Sequence, residues 1–233
     1  DVFTNQVEQK VIAWRRDIHA NPELGNREFR TAKLVADHLS ALGLEVKTGV
    51  AYTGVVGLLR GGKPGPVVAL RADMDALPIK EANITEYVSK NDGVMHACGH
   101  DVHTSCLLGA ARILFETRHE WEGTIKLIFQ PGEEKHPGGA SLMIKAGVLE
   151  NPKPSAIYAL HVYPHLPTGH VGFRGGQYMA SADEIYITIE GKGGHAAVPA
   201  SYVNPLMIAS KLLLALQAEF MDEKTRTIPN IPT

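Results

Sequence analysis

The chain has 233 residues, 44% of them hydrophobic and 21% charged, with a formal net charge of −2. Those proportions allow a buried core and argue against disorder. The scattered Lys and Arg exclude the basic stripe a nucleic-acid surface needs, and no apolar run approaches a membrane span. Two cysteines, Cys98 and Cys106, are too few for a disulfide scaffold and point to a reducing, cytoplasmic compartment.

The first forty residues read as helix, break, helix. "VEQKVIAWRRDIHA" sets Val7, Val11, Ile12 and Trp14 largely on one face, and "NPELG" then interrupts the pattern. "REFRTAKLVADHLSALG" repeats it through Phe29, Leu34, Val35, Leu39 and Leu42, with Gly43 as the C′ residue. Two β-branched runs follow, "TGVVGLLRG" and "PVVALRAD", joined by the turn "GGKPGP". Residues 101–117 form an amphipathic helix, with Asp101 near its start to suit the dipole and Cys106 as a small buried side chain. "GTIKLIFQ" is a strand, "GGASLMIKAGVL" a helix, and "SAIYALHV" a strand apolar on both faces. Strands alternating with helices across short Gly/Pro turns predict an α/β fold, a mainly parallel sheet with flanking helices.

The character changes over residues 170–182, rich in Gly and small residues. "DEIYITIEG" then alternates as a half-exposed strand should, and Asn204-Pro205 opens a helix that runs to about residue 219. These features divide the chain into a first domain over residues 1–176 and a smaller α+β domain over 177–233. The second ends without a closing element and reads as partial.

The polar residues gather at strand ends. "VVALRADMDALP" runs out into Asp73 and Asp75, "IKLIFQPGEE" into Glu133 and Glu134, and "AIYALHV" into His161. "VMHACGHDVHTS", residues 94–105, places Cys98 and His100 just ahead of a helix. In open α/β sheets, ligands bind beyond the carboxyl ends of the strands, so four separate segments are aimed at one edge. Thiolate, imidazole and carboxylate together suit Zn²⁺, with Mn²⁺, Co²⁺ or Ni²⁺ as alternatives, and a thiolate or carboxylate can bridge two ions. Adjacent glutamates can divide the labour, one binding metal and the other serving as general base, though spacing does not say which. Asp75 is placed to orient a ligand through a hydrogen bond. His96 and His103 are open between a supporting and a merely structural role. No deaminase H-x-E, zincin H-E-x-x-H, G-x-S-x-G elbow or P-loop occurs.

The chain resembles the M20 metallopeptidases, closest to the amidohydrolase subgroup that holds hippurate hydrolases, N-acyl-amino-acid amidohydrolases and N-acetyldiaminopimelate deacetylases. The likeness runs from "IHANPELGNREFRTAKLVADHLSALG" through "RADMDALPI", "HACGHDVHTSCLLGAARIL", "FQPGEE", "GGA" and "ALHV" to "GKGGHAAVP". It implies a metal-dependent catalytic domain followed by a lid and dimerisation domain. It also implies Cys98, His100, Glu134 and His161 as ligands of two divalent ions, Glu133 as general base, and Asp75 as a supporting carboxylate. His195 would stabilise the oxyanion, and a homodimer would form through the second domain. Departures from the family are Ala200, where a histidine is common, and Asn204-Pro205 in place of Asp-Pro. Family chains are also longer and return to the catalytic domain with a further metal histidine. The activity implied is hydrolysis of an N-acyl amino acid by a metal-activated water. The alternatives are a dipeptidase and a non-catalytic relative that binds metal or ligand.

Overall fold

A computed structural model describes residues 2–176 and 185–220 of the chain. Close contacts divide it into two units, Asp1–Tyr163 and Pro164–Thr233. The composition change that suggested a boundary at residue 177 falls inside the second.

In the first unit, helix α1 (Val2–Ala20) and helix α2 (Phe29–Ala41) are followed by strands β1 (Glu45–Val50), β2 (Gly54–Arg60) and β3 (Lys63–Asp73). Helix α3 (His100–Glu116), strand β4 (Glu122–Gln130), helix α4 (Gly139–Lys145) and strand β5 (Ala156–Ala159) complete it. The five strands form one sheet in the order β1-β2-β4-β3-β5. β3 pairs in parallel with β4 and with β5, while β2 runs antiparallel to both its neighbours, so four strands share a direction and β2 opposes them.

Alternation along the strands sorts side chains to two faces. On one, Val55, Ala72, Leu127 and Phe129 meet Val35 and Leu39 of α2 and Leu107, Leu108 and Ala111 of α3. On the other, Val56, Ala69 and Ile128 meet Met143 of α4 and Val148. Cross-strand register holds the sorting in place, with Val55 opposite Phe129 and Val56 opposite Ile128. Gly43 has a positive φ, and the bonds Gly43 N–H to Ser40 and Leu44 N–H to Leu39 close α2 as a C′ glycine does.

Some expectations shift. β5 is short and mostly exposed, with Ile157 and Tyr158 open, because it is an edge strand paired only with β3 among the described residues. Ile12 and Cys106 are also exposed rather than buried. In the second unit, helix α5 (Pro205–Phe220) starts as expected, with the Leu206 N–H donating to the Asn204 side-chain oxygen at 3.0 Å. The strand expected over residues 183–191 lies partly outside the described residues, and residues 185–190 have no regular structure. Alternation marks a face, but a strand also needs a hydrogen-bonding neighbour. Among the described residues, no helix is long and apolar enough to cross a membrane.

Among the described residues Phe129 is the largest fully buried side chain, packed against α2 and α3. We predict that Phe129→Ala lowers the unfolding free energy by about 3–5 kcal/mol through lost transfer energy and a residual cavity, measured by urea denaturation.

Candidate metal centre

β3 and β4 leave the sheet level with one another, Asp73 opposite Gln130. β5 ends at Ala159 on the same edge, and His161 follows two residues later. Between Asp75 and α3 the chain loops out and is tied back by the paired bonds Leu77 N–H to Met95 O (3.0 Å) and Met95 N–H to Leu77 O (3.1 Å). That returns Cys98 to the edge, with α3 starting at His100. Gly99 sits between them at φ +85°, and a Cβ there would stand 2.4 Å from a Val162 methyl. Only glycine lets the Cys98 segment pass so close to the His161 segment.

The ring of His100 is fully buried. Its Nδ1 faces Asp75 Oδ1 at 3.3 Å. Its Nε2 has no hydrogen-bond partner, yet Asp73 Oδ2 lies 3.7 Å away, Glu134 Oε1 3.8 Å and Glu133 Oε2 4.0 Å. Cys98 Sγ lies 3.4 Å from His161 Nε2. His161 donates its Nδ1–H to the Val162 carbonyl at 2.8 Å, which leaves the Nε2 lone pair facing the sulfur. Ligand atoms of Cys98, His100 and His161 lie within 4.8 Å of one another, as do those of His100, Glu133 and Glu134. Leaving a buried polar nitrogen unpaired costs about 1–3 kcal/mol. Here that nitrogen looks onto sulfur and oxygen donors, a set that fits a borderline divalent cation such as Zn²⁺.

Residues 69–230 match Peptidase family M20/M25/M40. The chain belongs to this family. It is 45% identical over 227 residues to IAA-amino acid hydrolase ILR1-like 2 of Arabidopsis thaliana, covering 95% of this chain and 51% of the relative. It is 44% identical over 215 residues to N-acyl-L-amino acid amidohydrolase of Geobacillus stearothermophilus, covering 92% and 58% respectively. The solved structure of the Bacillus subtilis YXEP protein, a dinuclear metal binding peptidase from the M20 family, matches with a TM-score of 0.67 at 42% identity. That match covers 71% of this chain and 45% of the other. The chain thus spans about half the length of the curated relatives it matches.

The electrostatics of this cluster are dominated by gathered negative charge. Burial pushes the Cys98 thiol up, and Glu134, Glu133 and Asp73 add to it, reaching about 12. Burial lowers His100, but the bond to Asp75 and the charges of Asp73, Asp75 and Glu133 outweigh it, leaving it raised. Burial raises Glu133, and Glu134 raises it further. A thiol that coordinates a divalent cation loses its proton outright, so a cation reverses the first of these shifts.

Ligand atoms of Asp73, His100 and His103 also lie within 4.8 Å of one another, but the His103 ring is bonded on both sides. Its Nδ1–H donates to Asp73 Oδ1 at 2.6 Å, and its Nε2 accepts the Val162 N–H at 2.9 Å. Both ring nitrogens are occupied, so neither has a lone pair to give a metal. Asp73 is engaged too, with Arg71 Nη1 2.7 Å from its other oxygen. Burial raises Asp73, but His103, Arg71 and His100 hold it down at about 2. His96 is buried with neither ring nitrogen partnered, and burial lowers it to about 4, so it is neutral near pH 7. His195 lies in the second unit, exposed, with its Nδ1 accepting the Ala197 N–H at 3.1 Å.

Sequence reasoning missed a buried network behind the site. Asp101, taken there only as a dipole partner, accepts from His19 Nδ1 at 2.7 Å and pairs with the Arg15 guanidinium, whose Nε lies 3.0 Å away. His19 Nε2 lies 3.0 Å from Glu81 Oε1, and the Tyr87 and His96 rings stand nearby at 5.7 and 6.3 Å. The partners are 82 and 62 residues from His19, which no local pattern could signal.

The bond to Asp101, opposed by burial and helped by Glu81, raises His19 above its ordinary value. A histidine raised in the folded state contributes stability in full below the unfolded value of about 6.5 and loses it as pH climbs through the folded value. His96 and His38, both lowered by burial, act only below that window. We predict that unfolding free energy falls as pH rises above about 6.5, a fall shared by His19 and the likewise raised His100, and that His19→Gln makes the slope shallower, read by urea denaturation across pH. A variant with the wild-type slope would show that His19 does not carry it.

Proposed function

We propose that the protein is a metal-dependent amidohydrolase that cleaves the amide bond of N-acyl amino acids, releasing a carboxylic acid and a free amino acid. The observation that carries the reading is the convergence of Cys98, His100, Glu134 and His161, with Glu133 beside them, at one sheet edge. The family membership and the acyl-amino-acid hydrolases among the relatives support the substrate class.

In this reading Cys98, His100, Glu134 and His161 would hold two divalent ions of the Zn, Mn, Co or Ni group. Divalent cations held there polarise a carbonyl and acidify water. Glu133 takes the proton of the attacking water and returns it to the departing amine nitrogen. Burial and Glu134 raise its carboxyl, which makes it a stronger base than an ordinary glutamate. Asp75 keeps the His100 ring in orientation and accepts the amide hydrogens of Glu133 (3.0 Å) and Glu134 (2.9 Å). By the family resemblance His195 would supply an N–H donor to the tetrahedral oxygen, and the second domain would form a homodimer contact. A prepositioned donor of this kind stabilises the transition state more than the ground state. A reducing cytoplasm would keep the Cys98 thiol free to ligate.

In the full-length protein, Glu133→Ala should lower kcat by at least about 100-fold while metal content stays at the wild-type level. Near-normal turnover in that variant would remove Glu133 from the role. Cys98→Ala should lose bound metal by elemental analysis, and full occupancy would count against ligation. A substrate panel of N-acetyl and N-benzoyl amino acids set beside dipeptides with free amino termini separates amidohydrolase from dipeptidase. Preference for the free amine would favour the latter.

A further inference from the structure

Three consecutive backbone amides end on buried carboxylates. Those of Glu133 and Glu134 donate to Asp75, and the one before them, Gly132 N–H, donates to Glu28 Oε1 at 2.7 Å. Glu28 is 0% exposed, lies 104 residues earlier in the chain, and takes no part in the proposed reaction. Its Oε1 also accepts the Asn26 N–H at 2.9 Å, and its Oε2 accepts the Thr53 hydroxyl. Burying a carboxylate against neutral donors alone is costly, and burial does raise this one above the usual range.

Helix capping does not account for it. Glu28 stands at the N-cap of α2, but its side chain makes no capping bond. That work falls to Glu23, whose two oxygens accept the Arg30 and Thr31 amides at 2.9 Å each. The Glu28 side chain turns instead toward the turn after β4. There the two loops are pressed together: Gly132 has φ +54°, and a Cβ on it would stand 2.6 Å from Asn26 Oδ1. A Cβ on Gly25 would lie 3.2 Å from both Asp75 Oδ2 and the Gly132 Cα.

We propose that Glu28 is a positioning residue: it clamps the amide of Gly132 while Asp75 clamps the next two, and together they set where the Glu133 and Glu134 side chains stand. The clamp rests on the hydrolase reading only for its effect on rate. Loss of Glu28 frees one end of the turn while Asp75 still holds the other. The ligand Glu134 therefore stays near its place, whereas Glu133 loses the fine placement that proton transfer needs. Glutamine at this position keeps a carbonyl oxygen for the Gly132 and Asn26 amides, and the Thr53 hydroxyl can accept from its NH₂. Alanine keeps none of these, and methionine fills the space without accepting.

The test uses the full-length protein with its metal, N-acetyl and N-benzoyl amino acids as probes, and hydrogen–deuterium exchange over residues 130–138. Glu28→Ala should lower kcat by about 10–100-fold with KM within roughly twofold, metal content retained and exchange of the turn accelerated. Glu28→Gln should restore both kcat and protection. Should Glu28→Ala fail to fold, Glu28→Met reads the same contrast against Glu28→Gln. Wild-type kcat and wild-type protection in Glu28→Ala or Glu28→Met would overturn the proposal, as would a Glu28→Gln variant as impaired as alanine. If the wild-type protein hydrolyses none of the acyl amino acids, the hydrolase reading fails, and the exchange of the turn alone decides the clamp.

Discussion

Asp75 accepts the backbone amides of both Glu133 and Glu134 and faces Nδ1 of His100, and so ties two segments far from it in sequence to one buried carboxylate. This is possible only because β3 and β4 end level, Asp73 beside Gln130, and because α3 begins where the returning loop brings His100 over that edge. A one-residue slip between the strands would fail twice. It would carry Leu127 and Phe129 off the face they share with α2 and α3, and it would move the Glu133 turn away from Asp75. Core packing and site geometry are thus fixed by the same register.

The site also concentrates charge that the fold alone does not neutralise. Arg71 is the cation held against Asp73, while Glu133, Glu134 and Asp75 surround a single imidazole. The thiol of Cys98 is driven far from ionisation by these neighbours and by burial. Cys98 and Glu133 are thus held back from ionisation by neighbours whose gathered oxygen and nitrogen atoms favour holding a cation. The charge is gathered at the edge, while the sheet beneath packs one apolar cluster on each face.

Much of this was legible in the sequence. Apolar runs that stop abruptly at Asp73, Glu133 and His161 announce strand ends with chemistry beyond them, and the Asn204-Pro205 pair announces a helix start that the structure contains. The alternation of strands and helices gave the α/β layer, but β2, the strand that opposes the others, could not be read from it, because direction is set by pairing. β5 looked like an interior strand since periodicity reports side-chain character and not position in the sheet. Glu28, His19 and Asp101 were invisible for a different reason. Each sits in a polar stretch where a solvent-exposed fate is the commoner one, and each finds its partners across tens of residues.

Glu133 and two of the proposed ligands, Glu134 and His161, are open, while the ligand His100 and the groups that hold the site in place are closed. Glu133 and Glu134 side chains are 42% and 25% exposed, and His161 is exposed as well. Asp75, Asp73, His103 and Glu28 are buried. A substrate needs access to the first set, but exposed side chains on a turn and on a segment beyond an edge strand have less packing around them than core residues do. Backbone anchoring answers that need: Glu28 and Asp75 take the amides under the two glutamates, and His103, backed by Asp73, takes the Val162 amide next to His161. Fixing the main chain through buried acceptors leaves the side chains free to face solvent without letting them wander, and precision at the edge is drawn from the rigidity of the core behind it.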